Sequence, residues 1–372
     1  MPVLRPAPIT AYTLVGYGLC PRHVRVIYPP LSACPGGWMF SRSSIHPPFL
    51  PEERSRKVKS KTNLWALLLA AIATALISVP ALAHGGGLDT FGTAVPVTEV
   101  NSLATEGCPI ESPDGLSLLF ASNRPGGVPG NVGNDIWVAD RASLTSPWQP
   151  PKNLGEPVNS IANDFCPTPV YGRSLLFVSD RLDNGTNTAP CGGGDIYLSR
   201  QSPAGGWSAP VMLECAPNGP NSAGPERSPS LVETWFGTFL FYSSNGGSGD
   251  QDIYMSQLGP DGKFGPGYVV NELSTEFEDI MPNVRARDDG GFEIVFSSDR
   301  PTWGNGQAAK GKQDVYISSA WWPTGHWSSP RNLGDAVNTA GVEQRSTLSA
   351  DGKRLYFGRD GDIFVSSRSG HH

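Results

Sequence analysis

Asp135-Ile-Trp137, Asp195-Ile-Tyr197, Asp252-Ile-Tyr254, Asp314-Val-Tyr316 and Asp362-Ile-Phe364 are five versions of one segment: an acid, a β-branched residue, an aromatic. They recur at intervals of 60, 57, 62 and 48 residues, the spacing of a repeated supersecondary unit. An apolar run precedes each, at 118–122, 175–179, 239–243, 294–298 and 355–357. A turn comes before that run, clearest as Ser112-Pro-Asp-Gly115 and Ser349-Ala-Asp-Gly352, where Gly accepts the positive φ that closes the bend. Each unit reads as strand, turn, strand, Gly-rich loop, Asp-led strand, and a looser strand opened by Trp148, Trp207, Phe264 or Trp327. Four short antiparallel strands cannot bury both faces alone, so neighbouring units must stack.

The fifth unit stops at Asp362-Ile-Phe-Val-Ser366 without its fourth strand, while residues 91–97 fit the column of 148–154 and 327–333. An N-terminal strand completing the last unit removes the exposed edge of an open array. The expected fold is therefore all-β: a five-bladed propeller of four-stranded antiparallel blades, closed by that strand. Composition agrees. Gly 44 and Pro 35 are too much punctuation for a helical protein, and 38% hydrophobic residues suffice for a core of short strands.

Three segments are expected: an unstructured extension or misassigned start at 1–56, a signal peptide at 57–83, and the propeller at 84–372. Lys57, Lys59 and Lys61 precede an apolar run at 64–76 and the small-residue site Ala81-Leu-Ala83, which together have the regions of a secretory signal. The protein is then periplasmic or secreted, with no membrane contact after cleavage. Beyond residue 83 the chain carries 19 basic and 32 acidic groups, which repel a phosphate backbone and exclude nucleic acid as partner.

The motifs Ser112-Pro-Asp-Gly115, Phe120-Ala-Ser-Asn-Arg124 and Asp135-Ile-Trp137 resemble the WD40-like PD40 repeat, which also builds the propeller of the periplasmic TolB protein. The resemblance covers 90–368 and implies a propeller of the cell envelope. The N-terminal α/β domain of TolB has no counterpart here.

One acid stands at the start of each inner strand: Glu106, Asp164, Glu226, Asp279 and Glu343. These five are expected to ring one mouth of the channel as a ligand site, or else to pair locally with Arg124, Arg181 and Arg300, which follow the second strand in three blades. Blade three has Asn245-Gly246 there. Asp135, Asp195, Asp252, Asp314 and Asp362 are read as structural repeat residues that accept loop N–H groups; calcium held by loop oxygens is the alternative. Cysteines Cys108, Cys166, Cys191 and Cys215 are even in number and match no zinc spacing. A Cys191–Cys215 disulfide and a Cys108–Cys166 disulfide are expected, because each pair emerges on one side of a propeller.

His84, with His326, His371 and His372 the remaining histidines beyond residue 83, is read as part of a flexible tail rather than a copper site. Trp303, Trp321 and Trp322 cluster in blade four, where sugar stacking and core packing compete. No nucleophile elbow, phosphate loop or dinucleotide fingerprint occurs, so no cofactor and no metal are expected. The expected function is a non-catalytic binding or scaffolding module, a monomer with an envelope protein or glycan as ligand. The alternative is a carbohydrate-active hydrolase or lyase using carboxylates at the channel mouth.

Overall fold

The computed structural model describes residues 90–369, apart from 132, 171–172, 183–188, 247–248 and 302–307. The extension, the signal peptide, His84, Trp303, His371 and His372 lie outside the described residues. The described chain is all strand and turn, and forms five blades of four antiparallel strands.

The inner strands are Glu106–Glu111, Asp164–Val170, Glu226–Thr234, Asp279–Ala286 and Glu343–Leu348. Second strands such as Ser117–Ser122 and Ser174–Ser179 are buried at five successive positions. A blade has a neighbour on each face, so its middle strands read as continuous apolar runs without polar alternation. The core is accordingly divided among the five interfaces. Leu119 and Ile136 of blade one meet Leu175 and Phe177 of blade two; Leu176 and Ile196 meet Leu240 and Tyr242; Phe239 and Phe241 meet Ile294 and Phe296. Val295 and Val315 meet Leu355 and Phe357. Tyr356 and Ile363 of blade five meet Leu118 and Phe120 of blade one, which completes the ring. Each fully buried side chain contributes about 1.5–3 kcal/mol.

The last blade closes as the sequence predicts. Phe91 pairs with Arg368, and Val95 with Val365, both on the outer edge of Asp362–Ser369. The Asp-Gly turns take the expected form, with Gly115 and Gly352 at φ 72 and 67. Asp114 accepts from Leu116 N at 3.0 Å and Asp351 from Lys353 N at 3.1 Å. Both disulfides are present: Cys108–Cys166 joins adjacent inner strands with 4.8 Å between Cα atoms, and Cys191–Cys215 joins two loops at 5.5 Å. Bonds of this kind persist in oxidising surroundings, outside the cytoplasm.

Every inner strand also carries a bulge that the repeat pattern does not announce. The register slips after the second residue in all five, and the third residue is left-handed without being Gly: Cys108, Cys166, Ser228, Met281 and Arg345, at φ between 48 and 58. Such a conformation costs about 1–3 kcal/mol per residue unless the surroundings hold it.

Candidate functional site

The five ring acids occupy the first position of each inner strand, so they share one rim. Their side chains are buried and turn into their own blades. Each caps the loop that leads into its strand. Ser102, Ser160, Ser222, Thr275 and Thr339, four residues upstream, each give a backbone N–H and a hydroxyl to the acid, the hydroxyls at 2.6–2.7 Å.

Arginines close three of these sites as the sequence predicts. Arg124 reaches Glu106 at 2.8 Å, Arg181 reaches Asp164 at 2.7 Å, and Arg300 pairs with Asp279. Blade five recruits an arginine the repeat alignment missed: Arg359 lies opposite Glu343 and pairs with it at 2.8 Å. The four guanidinium groups lie over aromatic rings, among them Phe120, Phe177, Phe296 and Phe357. They also donate to the carbonyls of Val100, Val158, Leu273 and Val337.

Glu226 is the exception. No arginine pairs with it among the described residues; Ser222 and Ser244 hydroxyls donate to it at 2.6 and 2.7 Å. Burial pushes its carboxyl up to about 7 against the pull of those hydroxyls. Burial beside Glu226 raises the Tyr242 phenol as well.

A second column escaped the sequence reading although its signal, Val-Asn five residues before the acid, is visible at Asn101, Asn159 and Asn338. Each amide brackets a residue of the preceding blade's third strand, as Asn159 does by accepting from Ile136 N at 2.8 Å and donating to Ile136 O at 2.9 Å. Asn221 and Asn338 repeat this on Ile196 and Val315, and Asn101 on Ile363. Ser274 stands there for blade three.

The Asp column is placed at its loops. Asp135 accepts from Val128 N at 2.6 Å, Asp195 from Cys191 N at 2.9 Å, and Asp314 from Lys310 N at 2.7 Å. Burial raises the Asp195 and Asp252 carboxyls. Among the described residues no group of three metal-ligating side chains comes together.

The opposite rim is open. There the ends of all five inner strands line a cavity of about 230 Å³, with Glu111, Glu233, Asn283 and Arg285 among its polar groups. Glu111 is buried and receives Arg141, Arg354 at 2.9 Å, and the Tyr356 hydroxyl. Glu293, behind Arg285, also receives Arg368 at 3.0 Å. Glu233 is exposed, and no cation pairs with it among the described residues.

Glu233 and Ala286 also border a second cleft, walled by Trp235, Phe236, Trp321 and Trp322, with Asp289 at its edge. The three indoles are 88%, 67% and 49% exposed. Trp235 and Trp322 stand edge-on to Phe236 at 5.2 and 5.4 Å between ring centroids, which fixes their faces. Asp289 is held by Arg287 and by Gly291 N at 3.0 Å. Sequence reading named Trp321 and Trp322 but not Trp235, which arrives from the hairpin of the neighbouring blade. His326 lies beside Arg287 and Trp321.

No family model matches the chain, and no curated protein matches it. Solved structures similar to it include a thermostable family-43 glycoside hydrolase, at 14% identity and TM-score 0.48, over 73% of this chain and 92% of that one. An endo-arabinase from Bacteroides thetaiotaomicron VPI-5482 aligns at 17% identity and TM-score 0.48, over 76% and 98%. The α-L-arabinofuranosidase of Podospora anserina, in complex with cellotriose, aligns at 12% and 0.48, also over 76% and 98%. At such identities the likeness is one of fold. These neighbours are glycoside hydrolases and not PD40 or TolB proteins, which contradicts the expectation of a non-catalytic scaffold.

Proposed function

We propose that the protein is an exported carbohydrate-active hydrolase, periplasmic or secreted, which holds a glycan in the tryptophan cleft and cleaves it beside the open mouth of the channel. The observation that carries this reading is Glu233, an exposed carboxylate on the border shared by the channel cavity and the cleft. Sugars offer apolar C–H faces and a fringe of hydroxyls. Indole faces take the first, and Glu233, Asp289 and Arg287 suit the second.

Glycoside hydrolysis needs an acid to protonate the leaving oxygen and a carboxylate to activate water or receive the anomeric carbon. Glu233, exposed where the cavity and the cleft meet, takes the first role. Asp289, tied by Arg287 and Gly291 N, takes the second. Water supplies the hydroxyl that ends on the anomeric carbon; its proton goes to Asp289 where that carboxylate activates the water, or back to Glu233 where Asp289 has first received the anomeric carbon. The test is release of reducing ends from a panel of neutral oligosaccharides and polysaccharides. Glu233→Gln is expected to lower kcat about 100-fold or more with an unchanged melting temperature, and Trp321→Ala to raise KM. Turnover of no sugar, or a Glu233→Gln variant as active as the parent, would overturn the reading.

A further inference from the structure

A further cavity opens off the mouth of the channel, in the groove between blades two and three. Its volume is about 720 Å³, and Val170, Leu231 and Glu233 border both it and the channel cavity. Alternation along the strand Glu226–Thr234 decides which way Glu233 faces. Leu231 packs toward blade two and Val232 toward blade four, so Glu233 shares the side of Leu231. The residue that protonates the leaving oxygen thus stands on the wall of this cavity.

The cavity follows from one aromatic position. The looser fourth strand opens on Trp148, Trp207 and Trp327 in blades one, two and four, and on Phe91 in blade five; Trp148, Trp327 and Phe91 are buried. Blade three has Phe264, which bridges Leu258 as Trp207 bridges Gln201. It is only half-buried and lines the cavity. The smaller ring leaves the groove unfilled, and the rest of the wall is largely aliphatic, with Leu176, Leu198 and Leu213 beside Leu231. Of the polar groups at its border, Ser208 Oγ accepts from Arg200 N at 3.0 Å, and Lys263 and Glu214 pair with each other across the two blades. A wall of this composition suits an apolar guest better than a second sugar, whose hydroxyls need donors and acceptors.

On the hydrolase reading above, we propose that the substrate is a glycoside of an apolar alcohol, with its sugar in the tryptophan cleft and its aglycone in this cavity. Glu233 borders both, which is where the leaving oxygen has to lie. On cleavage the bond from the anomeric carbon to that oxygen breaks, Glu233 gives the oxygen its proton, and the aglycone departs as the free alcohol. The hydroxyl of water takes its place on the anomeric carbon, and the remaining water proton restores the pair of carboxyl groups.

The test compares kcat/KM for methyl, 2-phenylethyl and octyl glycosides over a panel of pentoses and hexoses, below their micelle concentrations. All three leave as simple primary alcohols, so the comparison reads burial of the aglycone and not leaving-group chemistry. The 2-phenylethyl and octyl compounds are expected to exceed the methyl compound by about 30-fold or more. Phe264→Trp, which restores the residue of the sister blades, is expected to bring that ratio below about 3-fold by filling the cavity. Equal values for the three glycosides in the parent would overturn the aglycone site and leave the hydrolase reading standing, and that comparison does not depend on the variant folding. A folded Phe264→Trp variant with the parent's ratio would do the same. Turnover of oligosaccharides but of none of the three glycosides also overturns the aglycone site alone, whereas turnover of no sugar at all overturns the hydrolase reading and this assignment with it.

Discussion

Blade three and its four sisters solve one problem in two ways. All five bury a carboxylate at the head of the inner strand and cap it with upstream hydroxyls. Four then add a guanidinium that lies over an aromatic ring and pairs with the acid. Blade three has Gly246 where Arg124, Arg181 and Arg300 stand, and carries Tyr242 where its sisters carry Phe120, Phe177, Phe296 and Phe357. Its acid is left near the midpoint of titration at neutral pH. The repeat therefore conserves a hydrogen-bonded cap and not a charge, since the cap works with a protonated acid as well as with an ion pair.

The largest effect should come from turning a sister into a defective blade three. Arg300→Met leaves Asp279 buried without its cation, and breaking a buried pair from one side costs about 3–5 kcal/mol. Urea unfolding reads this directly; a loss under 1 kcal/mol would mean that the hydroxyl cap alone is enough.

Next in size is the pH dependence of the parent. The folded Glu226 carboxyl lies at about 7 against an ordinary 4.5. The folded state therefore holds a proton that the unfolded chain releases earlier. That stabilisation is complete below about pH 4 and is lost as pH rises through 7, on the order of 3 kcal/mol in all. Melts from pH 5 to 8, parent against Glu226→Gln, isolate it; parallel curves would show that Glu226 is ionised throughout.

The smallest effect belongs to Glu226→Gln itself. At pH 7 the amide keeps the shape and the acceptor oxygen, and a stability change below about 1 kcal/mol is expected. The matching Asp279→Asn change, which strands Arg300, should be several-fold worse. Equal losses for the two would erase the distinction between the blades.

The blade number, the ring closure and both disulfides were legible because they follow from a period and from which loops share a side. Contacts between blades were less so. Arg359 escaped because it comes from a different position in its strand and reaches the same acid. Trp235 escaped because its partners lie some 86 residues further on, and only the ring brings the hairpin of blade three beside the loop of blade four. The five bulges escaped for another reason: nothing in a strand sequence marks a left-handed residue that is not glycine. The five acids share a column in the sequence, yet a column does not say whether a side chain faces the channel or its own blade.

The pairing of Phe91 with Arg368 has a consequence in time. The first strand to leave a ribosome or an export pore has its partner almost at the other end of the propeller, so it must wait while four blades form and stack behind it. During that interval the growing arc presents two raw sheet faces, each as apolar as a finished interface, and both invite pairing with another chain. Contacts of such long range also make folding slow. The step that seals the molecule is thus the last and the most exposed to accident, and crowding, chaperones and temperature will act on yield there before they act on the finished ring.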